Sequence, residues 1–348
     1  MRRGVPKVLV TGGAGFIGSA FMRQAIKSGM RVVLCDKLTY AGDLARLKQV
    51  KGKYVFYKVD ICDPRAVEKL FKKEKPEFVV NFAAETHVDR SIVDPSAFLR
   101  TNFIGTQVLL DAARKTAVKK FIQISTDEVY GDIERGSFKE SSPLKPNSPY
   151  AASKAAADLL IRSYIRTYKF PAVIIRPSNN YGPWQYPEKL VPLSILKLFR
   201  NEKIPVYATG KNVREWLFVE DCAAGVLKIL KKGSPGKIYN LGGSCEKKNI
   251  EVVKSLLSGL RKGNNSIEFV KDRPGHDIRY SLDSSSTRTE IGWSPNTSFQ
   301  KGIKLTTKWY FEHQNWLFSK WQEIRNHRQK LEQIMASQSL SVPSSKHS

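Results

Sequence analysis

The sequence predicts an α/β fold, in which a doubly wound parallel sheet is followed by a smaller C-terminal lobe. Through the first two-thirds of the 348 residues, short apolar runs alternate with segments of helical period. Strands that are apolar on both faces and separated by helices are typical of a parallel sheet covered on both sides. A glycine-rich turn after the first strand also favours this fold. The predicted strands are Lys7–Thr11, Arg31–Asp36, Tyr54–Val59, Phe78–Ala83, Lys120–Ser125 and Ala172–Arg176.

Helical segments lie between these strands, and the pattern changes after Pro177. Loops, shorter strands and helices follow there, with Pro and Gly between them. We therefore expect a first domain over 1–177 and a second lobe over 178–315, part of which returns to the sheet. The predicted helices of the first domain are Ile17–Ser28, Arg65–Glu74, Pro95–Thr116 and Tyr150–Tyr168.

The C-terminal end of the chain carries a separate pattern. Five apolar side chains recur there at helical spacing among charged residues. They are Leu317, Trp321, Ile324, Leu331 and Ile334. This spacing predicts an amphipathic helical extension over 316–336 that lies on the protein's own surface. The stretch 337–348 is rich in Ser and has no apolar period, so we expect it to be disordered.

The chain is strongly basic, with 58 Lys and Arg residues against 32 acidic ones and a net charge of +26. Such a field concentrates polyanions. The basic residues are nevertheless spread singly and in pairs along the whole chain, which predicts a solvated lysine-rich surface and no specific nucleic-acid binding. Apolar stretches such as Phe78–Ala84 are too short to span a bilayer, so no membrane partner is expected.

Cysteine and histidine usage indicates a reducing compartment and no metal site. The four cysteines lie far apart and form no C-x-x-C pair, which predicts reduced thiols and a cytoplasmic location. They are Cys35, Cys62, Cys222 and Cys245. The five histidines are scattered, without the spacing that metal ligands show.

The turn after the first strand predicts a dinucleotide site. Gly12, Gly15 and Gly18 supply a tight turn, close approach to a pyrophosphate and close helix–sheet packing. The second strand ends at Asp36, whose carboxylate would bond the adenosine ribose and repel a 2′-phosphate. This favours NAD over NADP, although Lys37 is adjacent. Asp60 and Ile61 end the third strand, where they would border the adenine; Asp60 could equally well begin the next helix.

The segment that begins at Ser148 predicts a catalytic helix. Ser148 suits the N-cap and Pro149 the first helical turn. Tyr150 and Lys154 are four residues apart and share one face of that helix. A free tyrosine has a pKa of about 10, and an adjacent ammonium group favours the phenolate. In isolation Tyr-x-x-x-Lys is a common surface pair, but a dinucleotide turn upstream favours a catalytic role.

Three polar residues follow the predicted fifth strand. Thr126, Asp127 and Glu128 would stand at the carboxyl edge of the sheet, where ligands of doubly wound folds bind. Two adjacent carboxylates there favour acid–base chemistry in addition to hydride transfer. A hydroxyl, a tyrosine and a lysine alone would suffice for a plain dehydrogenase or a 4-epimerase.

Over about residues 5–315 the chain resembles the dTDP-glucose 4,6-dehydratase family of extended short-chain dehydrogenases. UDP-galactose 4-epimerases are similar in the glycine turn and Tyr-x-x-x-Lys but lack the Asp–Glu pair, and GDP-mannose dehydratases differ in that segment. The matching segments, in chain order, are Thr11–Gly18, Asp36–Thr39, Phe82–Asp89, Ser125–Gly131, Ser148–Lys154, Ser178–Pro183, Pro187–Leu190, Arg214–Trp216 and Asp272–Asp277.

The resemblance implies a role for each catalytic residue. Tyr150 would take the proton of the sugar 4-hydroxyl while NAD accepts hydride from C4, with Lys154 holding the ribose and Thr126 positioning the hydroxyl. Glu128 would remove the C5 proton, and Asp127 would protonate the departing C6 hydroxyl. Hydride would then return to C6, so that the reaction is a hydro-lyase reaction that regenerates NAD.

The resemblance also implies the division of the chain and its binding residues. Residues 1–177 would form an NAD-binding Rossmann domain and 178–315 a substrate-binding lobe. Further residues near NAD would be Phe16, Ile17, Lys37, Thr39, Ala83, Thr101 and Asn180. The substrate would contact Thr86, Thr126, Asn179, Lys189, Leu190, Pro205, Tyr207, Arg214, Asn249, Arg273 and His276. Among them, Lys189 and Arg214 suit a diphosphate.

Two features depart from the family pattern, and some alternatives stay open. Gln185-Tyr186 replaces the more usual His-Phe, and the chain continues beyond the family's usual end near Lys320. A UDP-glucose 4,6-dehydratase is the alternative activity, since uracil and thymine differ by one methyl group. A non-catalytic nucleotide-binding regulator is a further alternative, although all the catalytic residue types are present.

Family members resemble one another in pairing through two long helices, here near Pro95–Thr116 and Tyr150–Tyr168. Both helices carry apolar residues on more than one face, and a homodimer would bury the second face. These apolar residues include Phe98, Phe103, Val108, Leu109, Leu159 and Ile161.

Overall fold

The computed structural model describes residues 5–260 and 262–324. Strands that are mostly apolar alternate with helices through the first half of the chain. The strands are β1 (Lys7–Thr11), β2 (Arg31–Asp36), β3 (Tyr54–Lys58), β4 (Phe78–Asn81), β5 (Lys120–Ile124), β6 (Ala172–Pro177), β7 (Asn179–Tyr181), β8 (Ile204–Tyr207), β9 (Val213–Phe218), β10 (Ile238–Leu241), β11 (Glu246–Lys248) and β12 (Ile267–Val270).

The helices cover both faces of the sheet and most of the second lobe. They are α1 (Phe16–Lys27), α2 (Pro64–Glu74), α3 (Val88–Val93), α4 (Ser96–Phe98), α5 (Gly105–Lys115), α6 (Pro149–Tyr168), α7 (Leu190–Phe199), α8 (Val219–Lys232), α9 (Asn249–Gly259), α10 (Ser285–Ile291) and α11 (Phe299–Glu312). Short 3₁₀ helices span Leu44–Val50, Asp127–Tyr130 and Asn264–Ser266, and a π-helical turn spans Leu99–Ile104.

Seven parallel strands form the central sheet in the order β10-β6-β5-β4-β1-β2-β3. The order reverses at β1, so the sheet is doubly wound, and the fold class predicted from the sequence is confirmed. Three predicted strands, those ending at Val59, Ala83 and Ser125, stop one or two residues earlier in the structure. The seventh strand, β10, comes from the second lobe and pairs with β6.

Alternate side chains of each strand enter two separate cores. Val10 and Leu34 pack against α1 and α8 on one face of the sheet. Leu9 and Val33 pack on the other face, against α2, α5 and α6. All four side chains are buried. Fully covering both faces in this way is what makes a parallel sheet of near-continuous apolar strands stable in water.

The predicted helix Pro95–Thr116 is not a single α-helix. Residues Leu99–Ile104 form a π-helical turn between α4 and α5. This turn buries Thr101 and Asn102, whereas Leu99 and Ile104 are exposed. The sequence did not predict this turn, because π-helical turns are rare, short insertions within α-helices and no residue type marks them.

The second lobe has its own small sheets and an apolar core. Strands β11, β9 and β7 form one sheet, and β12 pairs with β8. Residues 314–324 are helical and bury Leu317 and Ile324. The rest of the predicted extension, with Leu331 and Ile334, and the stretch 337–348 lie outside the described residues.

Within the described part of the chain, no helix is both long and apolar enough to cross a membrane. All four cysteines are free thiols. Searching the same residues finds no group of three or more His, Cys, Asp or Glu side chains arranged to hold a metal ion.

Candidate active site

A cleft opens where β1 and β2 end, and glycines shape its floor. Gly12 has φ of +66°, which is the left-handed region that favours glycine. A Cβ atom on Gly12 would lie 2.5 Å from the backbone nitrogen of Ala83, and one on Gly18 would collide with the carbonyl oxygen of Gly12. Only glycine therefore allows β1, α1 and the end of β4 to approach this closely. The start of α1 at Phe16 directs its free N–H groups toward the cleft.

Asp36 closes one side of this cleft at the end of β2. Its carboxylate accepts hydrogen bonds from the backbone N–H groups of Ala14 (3.0 Å) and Leu38 (2.8 Å). Burial raises the pKa of Asp36, and these two bonds act in the opposite direction. The side chain thus fixes the glycine turn and the following loop, while its remaining lone pairs face the cleft.

Most of the predicted cofactor residues line the same cleft. They are Gly12, Gly15, Asp36, Lys37, Thr39, Ile61, Ala83 and Thr101. Asp60 lies just behind it, because its carboxylate pairs with the Lys37 ammonium group at 3.6 Å. Burial opposes the ionisation of Asp60, but bonds from Cys62 and Lys37 outweigh it and lower the pKa. Asn180 instead lines the neighbouring cavity.

Arg46, which the sequence did not single out, links the glycine turn after β1 to two other loops through hydrogen bonds. It is 2% exposed and donates to the carbonyl oxygens of Ala14 (2.9 Å), Ala41 (2.6 Å) and Trp184 (3.1 Å). Burial lowers the pKa of Arg46 to about 10. No motif marks this residue, and only its position in the fold reveals its role.

The catalytic helix begins where the sequence predicted. Ser148 is the N-cap of α6 and accepts a bond from the Ala151 N–H at 3.1 Å. Tyr150 and Lys154 are buried on one side of this helix. Burial lowers the pKa of Lys154 to about 8, and its ammonium group donates to the Ile124 carbonyl oxygen at 2.6 Å.

The surroundings of Tyr150 differ from the expectation. Burial and the charge of Glu128 raise the pKa of Tyr150, whereas a hydrogen bond with Thr126 lowers it. The sequence predicted a lowered pKa because of the neighbouring lysine. The protein groups alone act in the other direction, since Lys154 bonds to β5 and two carboxylates stand nearby.

Thr126, Asp127 and Glu128 lie at the end of β5, in front of the same helix. The Thr126 hydroxyl donates to Asp127 Oδ1 (3.1 Å) and accepts from the Glu128 N–H (3.3 Å). Asp127 is 2% exposed, and its Oδ2 has no hydrogen-bond partner. Burial and the charge of Glu128 raise the pKa of Asp127 well above its ordinary value. For Glu128, burial raises the pKa but three cations, Arg273, Lys189 and Arg214, oppose it.

A larger cavity of about 580 Å³ adjoins this site in the second lobe. Every predicted substrate residue except Thr86 and Thr126 lines it. These residues are Asn179, Lys189, Leu190, Pro205, Tyr207, Arg214, Asn249, Arg273 and His276. Thr86 is next to the cavity, where its carbonyl oxygen accepts a bond from the Lys189 ammonium group at 2.9 Å.

Cations hold one wall of the cavity in place. Arg273 pairs with Asp89 at 3.0 Å, and the Tyr207 hydroxyl donates to the other oxygen of Asp89 at 3.1 Å. Arg214 is 5% exposed and donates to the Asp277 carbonyl oxygen at 2.9 Å. Burial and the positive charge of Arg273 lower the pKa of His276. Cationic side chains therefore outnumber acidic ones in the lining of this cavity.

Several cavity residues were missed by the sequence analysis. Glu188 pairs with Arg90 at 3.2 Å and with His87 at 3.6 Å, and burial raises its pKa. His87 and Glu188 stand inside matching segments, so these segments were a usable signal; Arg90 lies one residue beyond. At the unusual Gln185-Tyr186 pair, Gln185 donates to the Asn180 carbonyl oxygen (2.8 Å) and Tyr186 to Glu323 (3.2 Å).

The glycine turn against the first strand and the helix with Tyr150 and Lys154 define a dehydrogenase of the extended short-chain class. A family model described as GDP-mannose 4,6 dehydratase matches residues 9–306. The chain belongs to the family that this model describes, and the narrower resemblance to dTDP-glucose 4,6-dehydratases seen in the motifs is confirmed by individual relatives.

Individual relatives indicate a narrower group of enzymes within this family. A dTDP-glucose 4,6-dehydratase of Xanthomonas campestris is 46% identical, over 89% of this chain and 94% of the relative. One from Escherichia coli is 42% identical, over 91% and 96%. Among solved structures, the dTDP-glucose 4,6-dehydratase DesIV from Streptomyces venezuelae, with NAD bound, has a TM-score of 0.87 at 45% identity and covers 89% of this chain and 98% of its own.

Proposed function

We propose that this protein is an NAD-dependent hydro-lyase that converts dTDP-glucose to dTDP-4-keto-6-deoxyglucose. The observation that carries the proposal is the pair Asp127 and Glu128 at the end of β5, of which Glu128 interacts electrostatically both with Tyr150 and with the cavity residues Arg273, Lys189 and Arg214. Relatives with the name dTDP-glucose 4,6-dehydratase cover nearly the whole chain, which supports the same substrate.

The cleft fits NAD on its own geometry. Gly12 and Gly15 line the cleft without side chains, so a pyrophosphate could approach their backbone, and Asp36 offers acceptor oxygens at the end of β2. A carboxylate there suits ribose hydroxyls and repels a 2′-phosphate. When bound, NAD supplies a hydride acceptor and, once reduced, a hydride donor. Lys154 would hold the nicotinamide ribose from its position beside Ile124.

The two carboxylates have environments that suit opposite roles. Asp127 is buried beside another carboxylate, so it stays protonated to a higher pH and can act as an acid. Burial also raises the pKa of Glu128, but three cations, Arg273, Lys189 and Arg214, oppose that rise. Its charged form is therefore more accessible than that of Asp127, and it can act as the base. Neighbouring carboxyl groups in different environments can divide the roles of acid and base in this way.

The chain's groups then act in order. Tyr150, hydrogen-bonded to Thr126, takes the proton of the sugar 4-hydroxyl as C4 is oxidised. The resulting 4-ketone acidifies the C5 hydrogen, and Glu128 removes it. Asp127 donates its proton to the C6 hydroxyl, which leaves as water. Glu128 then returns its proton to C5 as C6 accepts the hydride, which gives the 4-keto-6-deoxy sugar. Each proton transfer of this kind contributes about 10²- to 10⁴-fold to the rate.

The cavity residues suit a nucleoside diphosphate. Arg214, Lys189 and Arg273 would face the diphosphate, since guanidinium groups bind phosphate oxygens through two donors at once. Pro205 and Tyr207 would border the base. Burial of Arg214 keeps water away from this pairing and makes it stronger.

The experiment is to incubate the protein with dTDP-, UDP-, CDP- and GDP-glucose and to measure initial rates of 4-keto product. We expect dTDP-glucose to have the highest kcat/KM, by about 10- to 200-fold over UDP-glucose, because one methyl group in a pocket contributes that much. Tyr150→Phe serves as the inactive control. A higher value for UDP-glucose would assign the alternative substrate, and no ketone from any sugar nucleotide would refute the proposal.

We also propose that the protein is a cytoplasmic homodimer. Phe98, Val108, Leu109 and Ile161, which the sequence suggested for a second apolar face, are buried within the fold. Leu159 of α6, which the sequence also suggested, is exposed, and so are Leu99 and Ile104 of the π-helical turn. Pairing of two copies would cover them. A monomeric mass by light scattering at micromolar concentration would overturn the dimer. The free cysteines support a reducing compartment.

A further inference from the structure

Helix α6 carries a third polar residue in line with the two catalytic ones. Tyr150, Lys154 and Asp158 follow one another at intervals of four residues, so they share one face of the helix. All three are buried, and Asp158 is completely inaccessible to solvent. A charged residue is rarely this buried without a partner, and the reaction described above gives Asp158 no role.

The Asp158 carboxylate is bound from two strands. Its Oδ2 accepts the Ser125 hydroxyl at 3.0 Å, at the residue just before Thr126. The same oxygen accepts Arg176 Nε at 2.9 Å, from β6. Its Oδ1 has no partner. Asp158 therefore joins the helix of Tyr150 to the strand that leads into the acid–base residues.

Arg176 extends this connection to the opposite side of the site. Its guanidinium group lies 4.6 Å from the ring centre of Tyr130, the last residue of the 3₁₀ helix that carries Asp127 and Glu128. The Tyr130 hydroxyl is itself fixed, because it donates to Asn240 Oδ1 at 2.9 Å. Arg176 and Tyr130 are each 1% exposed, so solvent does not weaken the contact.

We propose that Asp158 and Arg176 are positioning residues, which keep Lys154 charged and hold the helix with Tyr150 at a fixed distance from the helix with Asp127 and Glu128. The proposal rests on the dehydratase function proposed above. Neither residue touches the sugar or the reacting atoms; each acts through a residue that does.

The physical reason for the first role is the burial of Lys154. Burial disfavours its ammonium form, and Asp158 is the charge that raises the pKa again. The groups facing this ammonium are the Ile124 carbonyl and, along the helix, Asp158, behind which stands Arg176. Burial raises the pKa of Asp158 itself, whereas Arg176, Ser125 and Lys154 lower it. Without the carboxylate, the Ile124 carbonyl oxygen would be the remaining partner of the Lys154 ammonium group among these groups.

The test of Asp158 is the pH profile of kcat for dTDP-glucose, measured on the enzyme as purified with its cofactor. In Asp158→Asn, the alkaline limb should move down by about one pH unit, so kcat should fall about fivefold near pH 8 and about tenfold above about pH 9. Activity should recover toward pH 6, because Lys154 becomes protonated again. Asp158→Glu retains the charge and should keep the limb near its original pH.

Two further variants keep this test decisive. Asp158→Asn combined with Arg176→Gln avoids an unpaired buried cation and should show the same downward shift. Asp221→Asn is the matched control, since Asp221 is a buried helical carboxylate that accepts the Thr297 N–H at 2.8 Å far from Lys154. An unchanged limb in both Asp158 variants, with wild type active, would refute the proposal. Wild type without any turnover would instead refute the dehydratase function.

The role of Arg176 is tested by whether reduced cofactor accumulates after oxidation at C4, before the later steps of the reaction. Arg176→Lys retains the positive charge but loses the guanidinium contact with the Tyr130 ring. The alkaline limb of the pH profile should therefore stay in place. The acid–base helix would be displaced, and reduced cofactor absorbing near 340 nm should accumulate in a single turnover. A variant that merely unfolds at a lower temperature, without this accumulation, would show that Arg176 has no positioning role.

Discussion

Glycines and a carboxylate bound to the backbone shape the cofactor cleft, whereas long cationic side chains line the substrate cavity. In the cleft, Gly12 lies so close to Ala83 that no side chain fits, and Asp36 is bound to two backbone N–H groups. The cavity is lined by long cationic side chains, among them Arg214 of β9 and Arg273 of the loop after β12. A change in the cleft therefore disturbs both the fold and the cofactor, while a change in the cavity acts mainly on the sugar nucleotide.

The largest effect is expected at the boundary between the two regions. Replacing Glu128 by Gln removes the base that takes the C5 proton, so turnover should fall by about 10²- to 10⁴-fold. Oxidation at C4 needs Tyr150 and should continue in part, so NADH absorbance should accumulate in a single turnover. Glu134→Gln, at an exposed residue of the following loop, is the control. Near-normal turnover by Glu128→Gln would show that another group is the base.

A smaller effect tests directly whether the cofactor cleft and the substrate cavity act independently of each other. Asp36→Ala removes a charged acceptor, so NAD affinity should fall by about 1.5–3 kcal/mol, which is what a hydrogen bond to a charged group contributes. Discrimination against NADP should also weaken, with KM for the sugar nucleotide little changed. Arg214→Lys should show the reverse pattern, a raised KM for the sugar with NAD retention unaltered. If both variants changed both constants, the two regions would not be separable.

The smallest effect concerns the helix over 314–324, which contacts both regions. Trp316 Nε1 donates to Asp43 at 2.8 Å beside the cofactor cleft, and Ile324 lines the substrate cavity. Trp316→Phe keeps an aromatic ring but loses the indole N–H bond, so beyond the loss from the smaller ring the free energy of unfolding should drop by about 0.5–1.5 kcal/mol. Trp321→Phe is the matched control, because its buried Nε1 has no partner. Equal losses of thermal stability in the two variants would exclude a contribution from the bond.

The cofactor side was more predictable from the sequence than the substrate side, for physical reasons. The glycine turn, Asp36 and the start of α6 at Ser148 depend on local backbone geometry, which neighbouring residues determine. The cavity instead collects Asn179, Lys189, Arg214 and His276 from distant segments. Their direction and partners depend on tertiary packing, so only the resemblance to a family suggested them.

Elsewhere the difference between prediction and structure has a similar origin. Tyr150 was identified from its spacing to Lys154, but the pKa of its hydroxyl depends on burial and on Glu128. Arg46 and Asp158 were missed because nothing in their local sequence distinguishes a buried cation or carboxylate from an exposed one. Buried polar residues are recognised only when the groups around them are known.

The π-helical turn over Leu99–Ile104 has a consequence for how this chain can change in length. An α-helix advances by about 100° per residue, from 3.6 residues per turn, so the extra residue in this turn sets which way every later residue of α5 faces. Thr101 and Asn102 face inward within the turn, and Leu109 is buried beyond it. Substitutions at exposed Leu99 or Ile104 do not change the direction in which the later residues of α5 face. A single-codon deletion would rotate the rest of the helix. Descendants of this gene should therefore vary here in residue type but not in the length of the segment.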